Sequence, residues 1–324
     1  FFFVPMGSGT SKADYYTPEM NTQEKELPIP SPDDLLSLVL NEKFSEVEEL
    51  LPEKLDVWDF NKRDKDGNTP LLVLASKGSL STIKCLFSSS VTSIDKQAKN
   101  KSRNSAIVLA SAKGHLDIVK YLVVHGSNVK DVNDSGNSCL LRAAAYGHLS
   151  TLQWLLQNGS SLSERNTKGN TCLHQACYSG KIEIVKWLLS NGSSISETNN
   201  FGITPLLMAV EGGKIEVIKY LLEKGASLKE KNTSNETCLH RAAHGCQLDT
   251  IKWLLQQNSN INEKTNQGNT ALSFAANDGY LSIVKFLVEK GGNVRDKNSS
   301  GNSCIHRAAS KGRKSVVEWL LKNG

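Results

Sequence analysis

The sequence predicts an all-α solenoid of stacked helix-turn-helix units joined by short β-hairpin-like loops. Three observations predict this fold class. Glycines recur at a period of 33 residues, apolar residues recur in phase with them, and helix-start signals open several units. A fixed period of roughly 20–50 residues is typical of solenoids, in which each unit buries its apolar face against its neighbours.

Glycine marks the period at three points of each unit. The first series consists of Gly67, Gly136, Gly169, Gly202, Gly268 and Gly301. The second consists of Gly78, Gly114, Gly147, Gly180, Gly213, Gly279 and Gly312. The third consists of Gly126, Gly159, Gly192, Gly225, Gly291 and Gly324. Glycine ends helices and permits left-handed turns, so each unit is predicted to hold two helices separated by a break. Arg103, Asn235 and Cys246 occupy glycine slots in units that lack the glycine.

Apolar and helix-starting residues follow the same period. Leucine fills one slot in all eight units, at Leu86, Leu122, Leu155, Leu188, Leu221, Leu254, Leu287 and Leu320. Alanine fills another slot, where a neighbouring helix must approach closely, at Ala110, Ala143, Ala176, Ala209, Ala242, Ala275 and Ala308. Thr69-Pro70 and Thr204-Pro205 are helix starts, with threonine as the N-cap and proline in the first turn.

The string from Gly169 to Ala176, followed by Gly180 and the apolar run 184–189, resembles the ankyrin repeat. The signature of that family includes Thr-Pro-Leu-His-x-Ala at a 33-residue period. The resemblance covers eight units, at 62–97, 98–130, 131–163, 164–196, 197–229, 230–262, 263–295 and 296–324, numbered one to eight below. The signature histidine stands at His174, His240 and His306, whereas its proline stands only at Pro70 and Pro205. Three extra residues around Ser90–Lys101 predict a longer or distorted first hairpin.

Residues 32–61 are predicted to form a capping helix pair in front of the repeats. Ser31-Pro32-Asp33-Asp34 combines a cap, a proline and acids in the first turn. Residues 1–31 have no periodic apolar face and are predicted to be a disordered leader. Met6-Gly7 opens a myristoylation pattern, which applies only where Met6 is the true start.

At the other end the chain stops at Gly324, and Lys314 replaces the apolar residue found in that slot elsewhere. Two interpretations stay open, a C-terminal cap and a fragment of a longer chain. The missing initiator methionine favours the fragment.

Composition places the chain among proteins of the cytoplasm or nucleus and not among secreted ones. No secretory signal is present, and no apolar run approaches the roughly 18 residues of a membrane span. The seven cysteines are therefore expected to be reduced thiols. Residues 32–66 carry 11 acids and 5 bases, whereas residues 67–324 carry 31 bases and 18 acids. That asymmetry is compatible with an anionic partner and equally with solubility.

No catalytic residue, metal site or cofactor is predicted. Cys172 and His174 form one of three Cys-x-His pairs, and the others stand at Cys238-His240 and Cys304-His306. The pairs are two repeats apart, about 16–20 Å at packed-helix spacing, whereas zinc ligands lie about 2 Å from the ion. Repeat positions account for all three pairs, so the sequence predicts neither an enzyme nor a small-molecule substrate.

Two further rows run along the predicted outer helices. The aromatic row consists of Tyr121, Trp154, Trp187, Tyr220, Trp253, Phe286 and Trp319, for which core packing is favoured over base stacking. The outer lysine row consists of Lys84, Lys120, Lys186, Lys219, Lys252 and Lys285. Four of these lysines follow an acid by three residues, as in ordinary helix-surface ion pairs. Nucleic acid or anionic membrane is therefore the weaker alternative partner.

The resemblance implies a non-enzymatic, monomeric scaffold or adaptor that binds another protein on its concave face and hairpin tips. Positions of that kind hold large or charged side chains in three adjacent units, at Tyr146, Lys168, Tyr178, Phe201 and Glu211. Exposed aromatics on a polar face are typical of interface hot spots. The alternative is the recognition region of a larger enzyme or membrane protein of the acyltransferase, kinase or channel type.

Overall fold

A computed structural model of the chain describes residues 34–88 and 93–323. Over these residues the chain forms eighteen α-helices and no β-strand. Two isolated bridges, between Lys99 and Ser105 and between Val132 and Ser138, close hairpin-like loops. The predicted all-α solenoid is confirmed. Within the same residues, no helix has the length and apolarity that a membrane crossing requires.

The helices come in nine successive pairs over the described residues. The first pair is α1 (Leu35–Leu40) and α2 (Phe44–Lys54). The first helix of each repeat, called the inner helix, is α3 (Pro70–Lys77), α5 (Ala106–Lys113), α7 (Cys139–Tyr146), α9 (Cys172–Ser179), α11 (Pro205–Glu211), α13 (Cys238–His244), α15 (Ala271–Asp278) and α17 (Cys304–Ser310). The second, called the outer helix, is α4 (Leu80–Ser88), α6 (Leu116–Val124), α8 (Leu149–Gln157), α10 (Ile182–Ser190), α12 (Ile215–Glu223), α14 (Leu248–Gln256), α16 (Leu281–Glu289) and α18 (Lys314–Asn323).

The start and the end of an inner helix are set by two residue types. Thr171 adopts an extended backbone as the N-cap of α9, and its hydroxyl accepts from the His174 N–H. Gly180 ends the same helix in the left-handed conformation, with φ of +73°. Threonine caps of this kind stabilise a helix by about 0.5–2 kcal/mol. The sequence signals therefore act through ordinary capping chemistry.

The inner helices pack against one another in series and are almost wholly buried. The eight leucines of the leucine slot are at most 3 % exposed, and the alanines of the alanine slot are fully buried. Small alanines let adjacent helices approach, while the leucines fill the layer between inner and outer helices. One continuous core results, and each unit contributes a thin slice of it.

Asparagine side chains also join neighbouring units at the hairpins. The Asn199 amide donates to Asn170 Oδ1 at 2.7 Å, and the same bond recurs as Asn100–Asn68, Asn133–Asn104, Asn166–Asn137 and Asn298–Asn269. Units five and six carry Ile203 and Glu236 in place of the accepting asparagine. Among the described residues, the ladder is therefore interrupted between units five and six and between six and seven.

One expectation, the start of the first helix, needs correction. Helix α1 begins at Leu35 with Asp34 as its N-cap, later than the predicted start, because Asp34 has an extended backbone and pairs with Lys62 at 3.1 Å. The aromatic row is half-buried on the outer helices and packs against the core, in agreement with the packing role that the sequence favoured. The leader 1–31 with its Met6-Gly7 motif, residues 32–33, and 89–92 of the first hairpin lie outside the described residues.

Candidate functional site

The five predicted binding residues fall at two ends of the inner helices. Tyr146, Tyr178 and Glu211 lie in the last turns of α7, α9 and α11, whereas Lys168 and Phe201 lie in the hairpins before α9 and α11. An eight-residue helix is about 12 Å long, so the two groups are separated by roughly that distance. The structure thus divides the predicted site into a helix-end part and a hairpin part.

The helix-end part presents two tyrosines in different ways. Tyr146 is 37 % exposed, and the guanidinium carbon of Arg142 lies 5.1 Å from the centre of its ring. A cation over the ring face restrains the ring at little entropic cost. Tyr178 is half-buried and also packs on the core. A Cβ at Gly212 would lie 2.1 Å from the Tyr178 carbonyl oxygen, so glycine lets the end of α11 approach this helix end closely.

The hairpin part presents Phe201 on a fixed backbone. The Phe201 N–H donates to Asn199 Oδ1 at 2.9 Å, and its carbonyl accepts from the Thr233 N–H at 3.1 Å. The phenylalanine ring is nevertheless 39 % exposed. Lys168 is half-buried, and its carbonyl accepts from the Asn200 N–H at 3.1 Å. An exposed aromatic ring on an ordered loop gives contact area without a large ordering cost.

Glu211 does not belong to an exposed surface, and that expectation was wrong. The residue is 3 % exposed, and its Oε2 accepts from Nη2 of the buried Arg241. Arg241 Nη1 also donates to Glu236 Oε2 at 3.0 Å. Gly245 permits this packing, because a Cβ there would lie 2.1 Å from the Glu211 carbonyl oxygen. The glutamate therefore joins units five and six from within.

Two of the three signature histidines, His174 and His240, bond to the next unit. His174 Nδ1 accepts from the Thr171 N–H at 3.3 Å, and Nε2 donates to the Ile203 carbonyl of the next unit at 2.9 Å. Burial lowers the pKa of His174 to about 4, so the ring is neutral at pH 7. His240 repeats the arrangement with the Asn269 carbonyl at 3.1 Å. The described residues contain no group of three side chains placed to bind a metal ion.

Burial also decides the chemistry of several cysteines. It raises the pKa of Cys139 and of Cys238 to about 12, and that of Cys172 and Cys177 likewise above the ordinary value. Only the thiolate is a good nucleophile, so these thiols are inert at neutral pH. Cys246 is exposed, with φ of +64° in a glycine slot.

The outer lysine row is exposed and in part compensated. Lys186 Nζ lies 2.9 Å from Glu183 Oε1, and Lys252 Nζ lies 3.1 Å from Asp249 Oδ1. Both contacts are the helix-surface ion pairs that the three-residue spacing predicts. Local carboxylates thus offset at least part of the charge of this face.

The serial helix pairs and the bonds between units define a helical repeat protein. A family model described as ankyrin repeats in three copies matches residues 173–265 and 239–324. A second model, described as ankyrin repeats in many copies, matches residues 107–156 and 140–189. The chain belongs to the ankyrin-repeat family. A comparison with curated proteins found no match. Ankyrin repeats are generally protein–protein interaction modules.

Proposed function

We propose that this chain is a non-enzymatic scaffold that binds another protein through the helix-end and hairpin parts of the site. The observation that carries the proposal is the exposure of Tyr146 and Phe201 on ordered backbone. Tyr146 lies in the unit before that of Tyr178, and Phe201 lies in the unit after it. Tyrosine at the centre of an interface is typical of hot spots, which supply most of the binding free energy.

The distances suit one interface. Adjacent packed helices lie about 8–10 Å apart, so three consecutive units span roughly 20 Å. A standard interface buries about 800 Å² per partner, which covers such a patch. We further propose that the chain acts as a monomer in the cytoplasm or nucleus, where its buried thiols stay reduced.

The test is a double variant, Tyr146→Ala with Phe201→Ala, compared with the wild type. The partner is isolated by affinity capture on the wild-type chain, identified by mass spectrometry and purified for titration. Each true hot spot contributes about 2 kcal/mol or more, so the double variant should bind at least about 30-fold more weakly. Its melting temperature should stay close to that of the wild type, because both rings are largely outside the core.

Val124→Ala is the matched control, since this apolar side chain is 82 % exposed on an outer helix away from the site. Tyr178→Ala is measured separately, because its ring also packs on the core. Undiminished binding by the double variant would place the interface elsewhere. Loss of binding by Val124→Ala would show that the effect is not specific to these rings.

A further inference from the structure

Basic side chains line the edge of the array next to the helix-end tyrosines. Four residues stand at the N-caps of α6, α8, α10 and α12, namely His115, His148, Lys181 and Lys214. With Lys113 at the end of α5, they form what we call the basic strip. Each N-cap residue lies directly after a glycine of the second series, namely Gly114, Gly147, Gly180 and Gly213.

The basic strip is packed onto the ends of the inner helices. The His148 Nε2 donates to the Ala112 carbonyl at 3.1 Å. The Lys181 Cδ lies 3.0 Å from the place where a Cβ on Gly147 would be, directly after Tyr146. Lys214 has the same relation to Gly180, two residues after Tyr178, at 2.7 Å. The tyrosines and the basic strip are therefore parts of one surface.

The positive charge of the basic strip is not offset locally. In the described ranges, no carboxylate forms an ion pair with Lys113, Lys181 or Lys214. The acid of the first turn of α10, Glu183, pairs instead with Lys186 of the outer lysine row. Glu216 of α12 also acts on Lys186, whose pKa both carboxylates raise. Within the described part of the chain, these carboxylates thus offset the charge of the outer lysine row and leave Lys113, Lys181 and Lys214 of the basic strip without an ion pair.

The pKa of His148 is affected by burial and by the positive charge of the basic strip. Its pKa is lowered first by burial, and the positive charges of Lys181, His115 and Lys113 act in the same direction. Basic residues are also poor N-caps, where serine, threonine, aspartate or asparagine is preferred and a cation opposes the helix dipole. None of the four N-cap residues makes a side-chain capping bond. Lys181 and Lys214 therefore stand where they do not favour folding, as residues of binding surfaces often do, whereas His115 and His148 also bond to the Ser76 and Ala112 carbonyls of the preceding unit.

We propose that the basic strip, together with Tyr146 and Tyr178, binds an extended acidic segment of a partner protein. This inference rests on the proposed function and specifies the chemistry of the partner. The lowered pKa leaves His148 mainly neutral at pH 7, so the lysines supply the charge of the strip. Lys181 and Lys214 lie one packed unit apart, about 8–10 Å, which equals about three residues of an extended polyproline II chain, where every third side chain lies on the same face. In duplex DNA each strand carries one phosphate about every 3.4 Å of helix axis, so the strip would leave most of them unpaired. An acidic residue at every third position matches the spacing.

The test uses a fluorescein-labelled 16-residue peptide with glutamate at every third position and a tyrosine at its centre. A second peptide carries lysine in place of each glutamate. By fluorescence anisotropy in low salt, the acidic peptide should bind at least about tenfold more tightly than the basic one, and its affinity should fall as salt increases. The double variant Lys181→Ser, Lys214→Ser should bind it at least about tenfold more weakly. Its melting temperature should be unchanged or higher, since serine is the better N-cap.

Lys186→Ser with Lys252→Ser is the matched control, which removes two cations from the outer lysine row and should leave the peptide affinity unchanged. Equal affinity for the two peptides, or no binding of the acidic one at millimolar concentration, would refute the inference. Tighter binding of a 20-nucleotide oligothymidylate or of phosphatidylserine vesicles would assign the strip to nucleic acid or membrane and would refute it too. A captured protein whose binding is weakened by substitution of Tyr146 and Phe201, but not by substitution of Lys181 and Lys214, would support the proposed function. The same result would refute the inference that the partner binds through an acidic segment.

Discussion

At the scale of single residues, several side chains hold backbone conformations that glycine holds elsewhere in the array. Arg103 has φ of +56° and Asn235 has φ of +62°, in slots where other units have glycine. Asparagine tolerates the left-handed region better than arginine. The slot pattern alone predicted the departures, because a repeat imposes the same backbone on whatever residue occupies the position.

Arg103→Gly should therefore stabilise the protein by about 0.5–1 kcal/mol. A left-handed non-glycine residue costs about 1–2 kcal/mol, and glycine returns part of that through its greater freedom in the unfolded chain. The lost ion pair with Asp134, at 3.8 Å on the surface, contributes little. The measurement is the free energy of unfolding in a denaturant titration. Gly169→Ala is the opposite control and should destabilise, since its φ is +77° and its Cβ would lie 2.7 Å from the Asn200 nitrogen. A less stable Arg103→Gly would contradict the argument.

His174 should make stability depend on pH. Its pKa is about 4 when folded, against about 6.5 for an unperturbed histidine, so the unfolded chain takes up the proton first as pH falls. Stability is then fully present above about pH 6.5 and is lost down to about pH 4, by up to about 3 kcal/mol. His240 acts in the same direction, because burial lowers its pKa as well.

The check is a series of denaturant titrations between pH 7 and pH 4 on the wild type and on His174→Leu. Leucine occupies the same slot in other units, at Leu72, Leu141 and Leu207. The variant should show a smaller loss of stability over this range, whatever its stability at pH 7. An identical pH dependence would mean that the buried ring does not control the titration.

At the scale of helices, the sequence predicted those features that depend only on residues within one unit. Helix starts at Thr69 and Thr204 and the buried leucine slot follow from caps and periodicity within one unit. Glu211 was misplaced because its burial depends on Arg241 in the next unit and on Gly245, which lets the helices approach. The exposure of Tyr146 and Phe201 agrees with their slots, whereas the packing of Tyr178 depends on its neighbours. A contact between units that depends on non-signature residues, such as Glu211 with Arg241, is not encoded in the signature.

Arg241→Met tests the internal bond between α11 and α13. The substitution leaves the carboxylates of Glu211 and Glu236 without their arginine, and breaking a buried pair in this way costs about 3–5 kcal/mol. The exposed pair of Lys186 and Glu183 provides the contrast, because Lys186→Met should change stability by less than about 1 kcal/mol. Both free energies come from denaturant titrations. Similar small losses at the two positions would show that water solvates Glu211 in spite of its burial.

At the scale of the whole molecule, the array has no single core centre. From α3 to α15, each inner helix packs on the first helix of the unit before it and on that of the unit after it, and the core is continuous from α1 to α18 over the described residues. Stability is then a sum of unit terms and nearest-neighbour interfaces. The asparagine ladder is interrupted between units five and six, where the Arg241–Glu211 bond joins the units instead, so adjacent interfaces use different chemistry for the same stacking. The periodicity of the sequence predicted that the units stack, but it could not predict that the Arg241 bond would replace the asparagine bond.

Substitution in the leucine slot should therefore lower the free energy of unfolding by different amounts in the middle and at the end of the array. Leu188 lies in unit four between two neighbours, and Leu320 lies in unit eight, and both are buried. Leu188→Ala should cost about 2–5 kcal/mol, as large-to-small core substitutions do. Leu320→Ala should lower the global free energy of unfolding less, because unit eight can open alone while the other units stay folded. Denaturant titrations give the global values, and hydrogen exchange should show that Leu320→Ala speeds exchange in α17 and α18 only. Equal global losses at the two sites would argue that the array unfolds as one cooperative block.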